Sequence, residues 1–322
     1  MTVGAPNGKA SSGQGTGDAF PGGVFSGKRR MRFDRRGGFL PYVLVTPLAL
    51  FVILLTVVPA AFTLGESFFR VDLLDPPVRF TGLDNFIKLF QNPAIASSFG
   101  NTGLYVLVGV VLSTILGVVM AVTLQRKFRG RSLLIALMIL PWALPGVVEG
   151  IIWVGIWDSN TGLLNSVLTS LHLIDHYQVF LGENQILTII GIELVQVWQM
   201  TPLSTLLILA ALQNIPEELY EAAYVDGGTP VKTFRFITLP LALPGITLAM
   251  VQGLVTSINI FDQPYVLNGS ASTGASVLEQ TYFVSFQDLN FGQGYALSLL
   301  ITAVTILASL VILKFVYRSV EY

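Results

Sequence analysis

The sequence predicts an all-α integral membrane protein with six transmembrane helices. Hydrophobic residues make up 52% of its 322 positions and charged residues 11%, and the mean hydropathy is +0.69. This balance lies outside the range of soluble domains. A helix needs roughly 20 apolar residues to cross about 30 Å of hydrocarbon, and six stretches are long enough. Cysteine is absent, which excludes disulfides and thiolate metal sites.

The six predicted spans follow one another with short polar connections. Residues 1–38 are rich in Gly and Ser and end in a basic run, so we expect a disordered N-terminal segment. The first apolar stretch is too long for the core of a cleaved signal peptide, which favours a retained helix. Residues 39–318 then form the membrane domain, and 319–322 form a short tail. The predicted spans are 39–64, 101–125, 132–157, 186–212, 240–262 and 293–317.

The distribution of basic residues orients these spans. Only three of the 18 Lys and Arg residues, Arg70, Arg79 and Lys88, fall on the side opposite the N terminus. Because cytoplasmic segments are enriched in basic residues, both termini and the connection 214–240 are predicted to be cytoplasmic. The connections 65–100, 158–185 and 263–292 then lie outside.

The connection 214–240, here called the elbow, reads as a helix, a break and a second short helix. Pro216 suits a first helical turn, and the acidic residues after it favour the positive end of a helix dipole. Gly227 and Gly228 supply a left-handed stop. Thr229 with Pro230 then predicts the start of a second short helix, which Pro240 is expected to close.

The elbow resembles the EAA motif of permease subunits from binding-protein-dependent, ATP-driven (ABC) importers. That pattern is E-A-A, three residues, G, nine residues, then I-x-L-P. The resemblance implies that the first short helix docks into a cleft of a separate ATPase subunit. The coupling residues it implies are Glu221, Ala222, Ala223, Asp226, Gly227, Leu239 and Pro240.

Polar residues recur at helical spacing in the two spans beside the elbow. Span four carries Glu193, Gln196 and Gln199 at steps of three, and span five carries Gln252, Thr256, Asn259 and Gln263 at steps of four, three and four. Residues three or four apart share a helix face, and polar faces in a membrane turn inward. We expect both stripes to face one cavity, where amides suit hydroxyl-rich ligands and Trp198 could stack on a sugar ring. The alternative is that these side chains join helices by hydrogen bonds.

The chain also resembles the sugar and polyol branch of these permeases, which includes the first membrane subunit of the maltose importer. The likeness rests on LPWALPG (140–146), SNTGLLN (159–165), VWQMTP (197–202), LQNIPEELYEAA (212–223) and VLNG (266–269). It implies a sugar site between the spans that flank the elbow. The positions that it implies for the solute path are Gln196, Gln199, Met200, Leu203, Gln252, Thr256 and Asn259.

Three further groups have more than one interpretation. Glu149 is a carboxylate within an apolar stretch, between Gly146 and Gly150, and either contacts the solute or pairs with a partner permease. Trp142, Trp153 and Trp157 are interpreted as residues of an interfacial aromatic belt. The H-x-x-D-H sequence at 172–176 lacks a third ligand, so no metal site is predicted.

The resemblance implies one membrane subunit of an importer in a bacterial or archaeal plasma membrane. Its expected partners are a second permease, two copies of an ATPase, an external solute-binding protein and membrane lipid, with no nucleic acid. No cofactor is expected in this chain, since ATP and magnesium belong to the ATPase. A secondary carrier is the alternative, although no inverted halves with broken helices are visible. A membrane enzyme is a third hypothesis, and the sequence contains no nucleophile or metal constellation that supports it.

Overall fold

The computed structural model describes residues 39–269 and 273–317. The predictions for the disordered segment 1–38 and for the tail 319–322 lie outside these residues. The chain divides into two compact units, and the described part of the first, up to Ile53, contains helix α1 (Leu40–Val52). A π-helical turn at Ile53–Val57 follows, and the apolar helix Tyr42–Glu66 is long enough to cross a membrane.

The part from Leu54 onward is almost entirely helical, with two short antiparallel strands, β1 (Phe69–Arg70) and β2 (Arg79–Phe80). Its helices are α2 (Val58–Glu66), α3 (Asp84–Gln91), α4 (Pro93–Gln125), α5 (Arg131–Ala143), α6 (Gly146–Trp157), α7 (Leu163–Ser170), α8 (Gln185–Leu212), α9 (Glu217–Val225), α10 (Pro230–Thr233), α11 (Leu239–Ile258), α12 (Asp262–Asn268), α13 (Val277–Tyr282) and α14 (Phe291–Val316). Among the described residues, five helices are long and apolar enough to span a membrane, or six when α5 and α6 count as one span. The predicted fold class is confirmed.

Asparagine caps set the starts of the long helices. Asn92 accepts a hydrogen bond from the Ala94 N–H at 3.0 Å and precedes Pro93, which needs no backbone partner in the first turn. Asn184 caps α8 in the same way, and Asn290 caps α14. Each cap satisfies N–H groups that would otherwise lack partners at the edge of an apolar layer.

The third span is broken, where the sequence predicted one helix over 132–157. Helices α5 and α6 meet at an angle of 97°. Leu144 has extended backbone dihedrals because the ring of Pro145 disfavours a helical conformation in the residue before it. The motif LPWALPG therefore marks a break in this span.

The second short helix of the elbow does not end at Pro240, which corrects the prediction. The helix runs without interruption from Pro230 to Ile258, through a π-helical turn at Phe234–Thr238. A proline inside a helix clashes with the carbonyl four residues earlier, and the wider π-turn removes that clash. The second helix of the elbow is therefore continuous with the fifth span.

Helices α4, α8 and α11 pack against one another and form the centre of the bundle. An apolar cluster fills the half nearest the elbow and includes Leu124, Ile208, Leu212 and Ile246. A second cluster joins α4 and α11 to α3, α13 and α14. Small residues bring the helices close, since a Cβ on Gly245 would lie 2.5 Å from the Ala211 Cβ.

Candidate functional site: a polar cavity and an exposed elbow

A small polar cavity lies between α8 and α11. It has a volume of about 150 Å³. Five of the residues predicted for the solute path line it, namely Gln199, Met200, Leu203, Gln252 and Thr256. The sequence did not assign the other three, Trp142, Ser204 and Gly253, to this path. None of the described lining residues carries a charge.

The polarity of the cavity comes from amides and hydroxyl groups. Gln252 Nε2 donates to Thr256 Oγ1 at 3.3 Å, so these two side chains form one polar edge on α11. Ser204 stands beside Leu203 on α8, and Trp142 at the end of α5 supplies an aromatic wall. Such a lining can pair with hydroxyl groups of a solute and cover its apolar ring face.

Trp142, which the sequence suggested as a residue of an interfacial belt, forms part of the cavity wall. Trp142 belongs to the motif LPWALPG, in which the helix breaks at Leu144. This break was the sequence signal that could have placed Trp142 at the cavity. Trp153 and Trp157 stack on each other with ring centroids 5.9 Å apart. Trp198 packs edge-on against Trp153 at 5.5 Å and is not among the residues that line the cavity.

Gln196 and Asn259 lie next to the cavity without lining it. Gln196 is almost fully buried, and its Nε2 donates to Ser257 Oγ at 2.6 Å. Asn259 follows the last residue of α11, and its side chain donates to the Val255 carbonyl at 2.8 Å. The predicted polar stripe of span five is thus not one helical face, because α11 ends at Ile258 and Gln263 lies on α12.

Glu149 is fully buried inside this chain. Its side chain lines neither the cavity nor an outer surface of this chain. The sequence suggested a contact with the solute or with a partner permease, and this position behind the cavity is neither of the two. The Nε2 of Gln263 donates to Glu149 Oε2 at 3.3 Å and to Gln199 Oε1 at 3.1 Å. Gly146 and Gly150 let α6 approach α12 closely, since a Cβ on either would collide with Asp262 or Val266. The buried carboxyl group therefore reaches the cavity through the amide of Gln263.

The elbow begins with α9 and turns at Gly227. Gly227 has φ of +74°, a conformation that glycine adopts without strain, and a Cβ there would meet open space. Gly228 closes the turn by donating its N–H to the Ala223 carbonyl at 2.7 Å. Thr229 then caps the next helix through the N–H of Lys232. The break between two helices that the sequence predicted is present at this glycine pair.

The elbow exposes apolar side chains among its charged ones. Tyr224 and Val225 are each 83% exposed, and Val231 is 75% exposed. Of the predicted coupling residues, Glu221, Ala222, Asp226, Gly227 and Pro240 are exposed, and Ala223 and Leu239 are half-buried. The other side of α9 is held by Tyr220, whose hydroxyl accepts from Thr238 Oγ1 at 3.3 Å.

Comparison with known proteins agrees with a membrane bundle that carries such an elbow. Residues 113–321 match the family described as binding-protein-dependent transport system inner membrane component. The chain belongs to this family. The match contains the polar cavity, the elbow and the last four predicted spans.

Several relatives of this inner membrane component are nearly full-length matches. It is 32% identical to the trehalose/maltose transport system permease protein MalF of Thermococcus litoralis, over 85% of this chain and 92% of the relative. It is 33% identical to the diacetylchitobiose uptake system permease protein NgcF of Streptomyces coelicolor, over 89% and 84%. It is 32% identical to the sulfoquinovosyl glycerol transport system permease protein SmoG of Agrobacterium fabrum, over 82% and 88%.

A solved structure has the same fold as this inner membrane component. A chain of a bacterial ABC transporter involved in the import of alginate superposes with a TM-score of 0.75 at 20% identity, over 88% of this chain and 96% of that one. At this identity, the likeness supports the arrangement of helices alone.

Proposed function

We propose that this chain is the permease subunit of an ATP-driven importer that moves a sugar or sugar-like solute into the cytoplasm. The observation that carries the proposal is the uncharged cavity of amides and hydroxyls between α8 and α11. Both helices lead directly into the elbow, so a movement of the elbow would be transmitted to the cavity walls.

The class of solute is supported by the chemistry of the cavity and by the relatives. Gln199, Gln252 and Thr256 offer both donors and acceptors, which match the hydroxyl groups of a sugar. The relatives are described as carrying trehalose or maltose, diacetylchitobiose and sulfoquinovosyl glycerol. In this proposal Glu149 supports the cavity from behind, Gln196 belongs to the solute path beside it, and Trp198 and Asn259 lie at its edge.

The elbow is proposed to dock on a separate ATPase. Tyr224 and Val225 give it an exposed apolar surface that a partner would bury, and Gly227 sets the angle of that surface. Closure of two ATPase copies on ATP and magnesium would then move α9 and switch access to the cavity. Glu221, Ala222, Ala223 and Asp226 would contact the ATPase, and Leu239 with Pro240 would pass the movement to α11.

The complete transporter in this proposal has a second permease, two ATPase copies and an external solute-binding protein in a lipid membrane. The permease lies in a plasma membrane, and both of its termini are cytoplasmic, as the basic residues of the connections indicate.

A reconstitution experiment tests the proposal. The assembled transporter in vesicles should take up a radiolabelled neutral disaccharide when ATP and the binding protein are supplied. Uptake that continues without ATP and collapses with the ion gradient would instead favour an ion-coupled carrier. One feature of this chain favours that alternative, because ion-coupled carriers also contain broken helices and buried ionisable groups. Here the broken pair is α5 and α6, and the buried group is Glu149.

A further inference from the structure

A second group of polar side chains lies beside the cavity, where α4, α8 and α11 cross. Glu193 and Gln196 stand one turn apart on α8, and Ser257 stands on α11. We call these three side chains the acceptor cluster. Glu193 is 6% exposed and Gln196 is 1% exposed.

The acceptor cluster converges on one point of α4. An ideal Cβ on Gly109 would lie 2.9 Å from Glu193 Oε1, 3.1 Å from Ser257 Oγ and 3.3 Å from Gln196 Nε2. A glycine at this position therefore lets three polar side chains meet at the centre of the bundle. A larger residue would displace the carboxyl group of Glu193.

The cluster has more hydrogen-bond acceptors than donors. The Nε2 of Gln196 donates to Ser257 Oγ at 2.6 Å and lies 3.3 Å from Met200 Sδ. Within residues 39–269 and 273–317, both carboxyl oxygens of Glu193 and the Oε1 of Gln196 have no hydrogen-bond partner. Buried polar atoms without partners are rare and costly in native proteins. Three of them in one place point to a ligand that brings donors.

Met200 separates the acceptor cluster from the cavity. Its side chain lines the cavity, and its sulfur accepts a weak contact from Ser257 Oγ at 3.7 Å. A methionine side chain is unbranched and can turn aside easily. The cavity of about 150 Å³ is smaller than the roughly 300–1,000 Å³ of typical ligand pockets, so a disaccharide needs more room.

We propose that Glu193 and Ser257 join Gln196 as the second half of the solute site, which opens to the cavity when the Met200 side chain turns aside. This inference rests on the proposed function and names the class of solute, a sugar without negative charge. Its hydroxyl groups supply donors to the three unpaired acceptors. A phosphate, sulfonate or carboxylate would instead bring further acceptors against Glu193, and no described residue lining the cavity is basic.

Cysteine accessibility tests whether this cluster becomes part of the solute path. The chain has no cysteine, so Ser257→Cys introduces a single thiol of similar size. The assembled transporter in vesicles is treated with 2-aminoethyl methanethiosulfonate, with and without ATP, and the mass of this chain is measured. We expect the thiol to be labelled about tenfold faster during ATP hydrolysis, which corresponds to a change of about 1.4 kcal/mol in the free energy of exposing it. Labelling should be slower when a transported disaccharide is present.

Thr247→Cys is the matched control. Thr247 is also fully buried on α11, and its hydroxyl donates only to the Leu243 carbonyl of the same helix at 2.7 Å. It should stay unlabelled under every condition. A Ser257→Cys thiol that behaves like Thr247→Cys throughout the cycle would overturn the proposal.

Glu193→Gln tests the class of solute. Its new amide N–H can bond Gln196 Oε1, so one acceptor is used up and a donor is added. We expect the KM for the neutral disaccharide to rise about tenfold, the equivalent of one hydrogen bond, and glycerol 3-phosphate to begin to inhibit uptake. An unchanged KM and no inhibition, in a variant that assembles normally, would contradict the inference alone. A wild-type transporter that carries no sugar would contradict the proposed function as well.

Discussion

The amide nitrogen of Gln263 donates to both Gln199 and Glu149, at 3.1 Å and 3.3 Å. Gln199 lines the polar cavity, whereas Glu149 is fully buried behind it on α6. Because one amide group serves both, the orientation of the Gln199 side chain in the cavity depends on a carboxyl group that the cavity does not expose.

Gln263→Leu should therefore destabilise the protein. The change leaves Glu149 without its donor, and a buried polar group that loses its partner costs about 1–3 kcal/mol. Thermal unfolding in detergent measures the effect, and Gln91→Leu at an exposed position of α3 is the control. Combining the change with Glu149→Leu should restore part of the loss, since both partners are then apolar. Equal stability of Gln263→Leu and wild type would show that this contact contributes nothing.

Trp142→Ala should weaken solute uptake more than Trp198→Ala. Trp142 lines the cavity, whereas Trp198 packs on Trp153 outside it. Loss of an aromatic wall that covers a sugar ring should raise the KM for uptake roughly tenfold. Uptake by the assembled transporter decides between the two tryptophans. A larger effect of Trp198→Ala would favour the sugar-stacking role that the sequence suggested for it.

Gly227→Pro should abolish transport-coupled ATP hydrolysis and leave the protein inserted in the membrane. Proline cannot adopt the φ of +74°, and it removes the N–H that donates to the Tyr224 carbonyl at 3.1 Å. A Glu221 substitution should have the same effect if that side chain contacts the ATPase. ATPase activity stimulated by the loaded binding protein is the measurement.

The milder pair Gly227→Ala and Gly130→Ala separates strain from docking. Both glycines have positive φ and open space around a Cβ, and both are in predicted cytoplasmic connections. Strain of about 1 kcal/mol is expected at either position. Only Gly227→Ala should reduce coupling, and equal losses in both variants would assign the effect to stability.

Because of Glu279 on α13, the folded protein should be more stable at lower pH. Burial raises the pKa of this carboxyl group to about 8, against a usual value of 4.5. The folded state then holds a proton that the unfolded state has lost, so stability falls as the pH rises from 4.5 to 8. The Tm difference between pH 6 and pH 8 should shrink in Glu279→Gln.

Asp158→Asn is the control for this pH dependence. Backbone N–H groups of Thr161 and Asn160 donate to the carboxylate of Asp158 and lower its pKa. Its contribution is therefore lost only as the pH falls below 3.8, the usual value. This variant should keep the wild-type Tm difference between pH 6 and pH 8. If Glu279→Gln also kept the wild-type Tm difference between pH 6 and pH 8, the pH dependence would come from other groups.

The sequence by itself determined the membrane fold, the number of spans and the elbow. These features depend on local properties: apolar length, the left-handed conformation that Gly227 permits and the spacing of the E-A-A motif. The polar stripe of α8 was also visible, because helical periodicity alone places Gln196 and Gln199 near one face.

Only the tertiary structure decided which of these side chains meet. Packing of α5 against α8 brings Trp142 to the cavity wall, and α12 brings Gln263 between Glu149 and Gln199. The π-turn before Pro240 lets the helix continue from the elbow into α11. The preference of proline for helix ends predicted a stop at this position instead. Each of these outcomes depends on contacts between helices that are distant in the sequence, or on a backbone adjustment that packing selects, and helical periodicity carries no information about either.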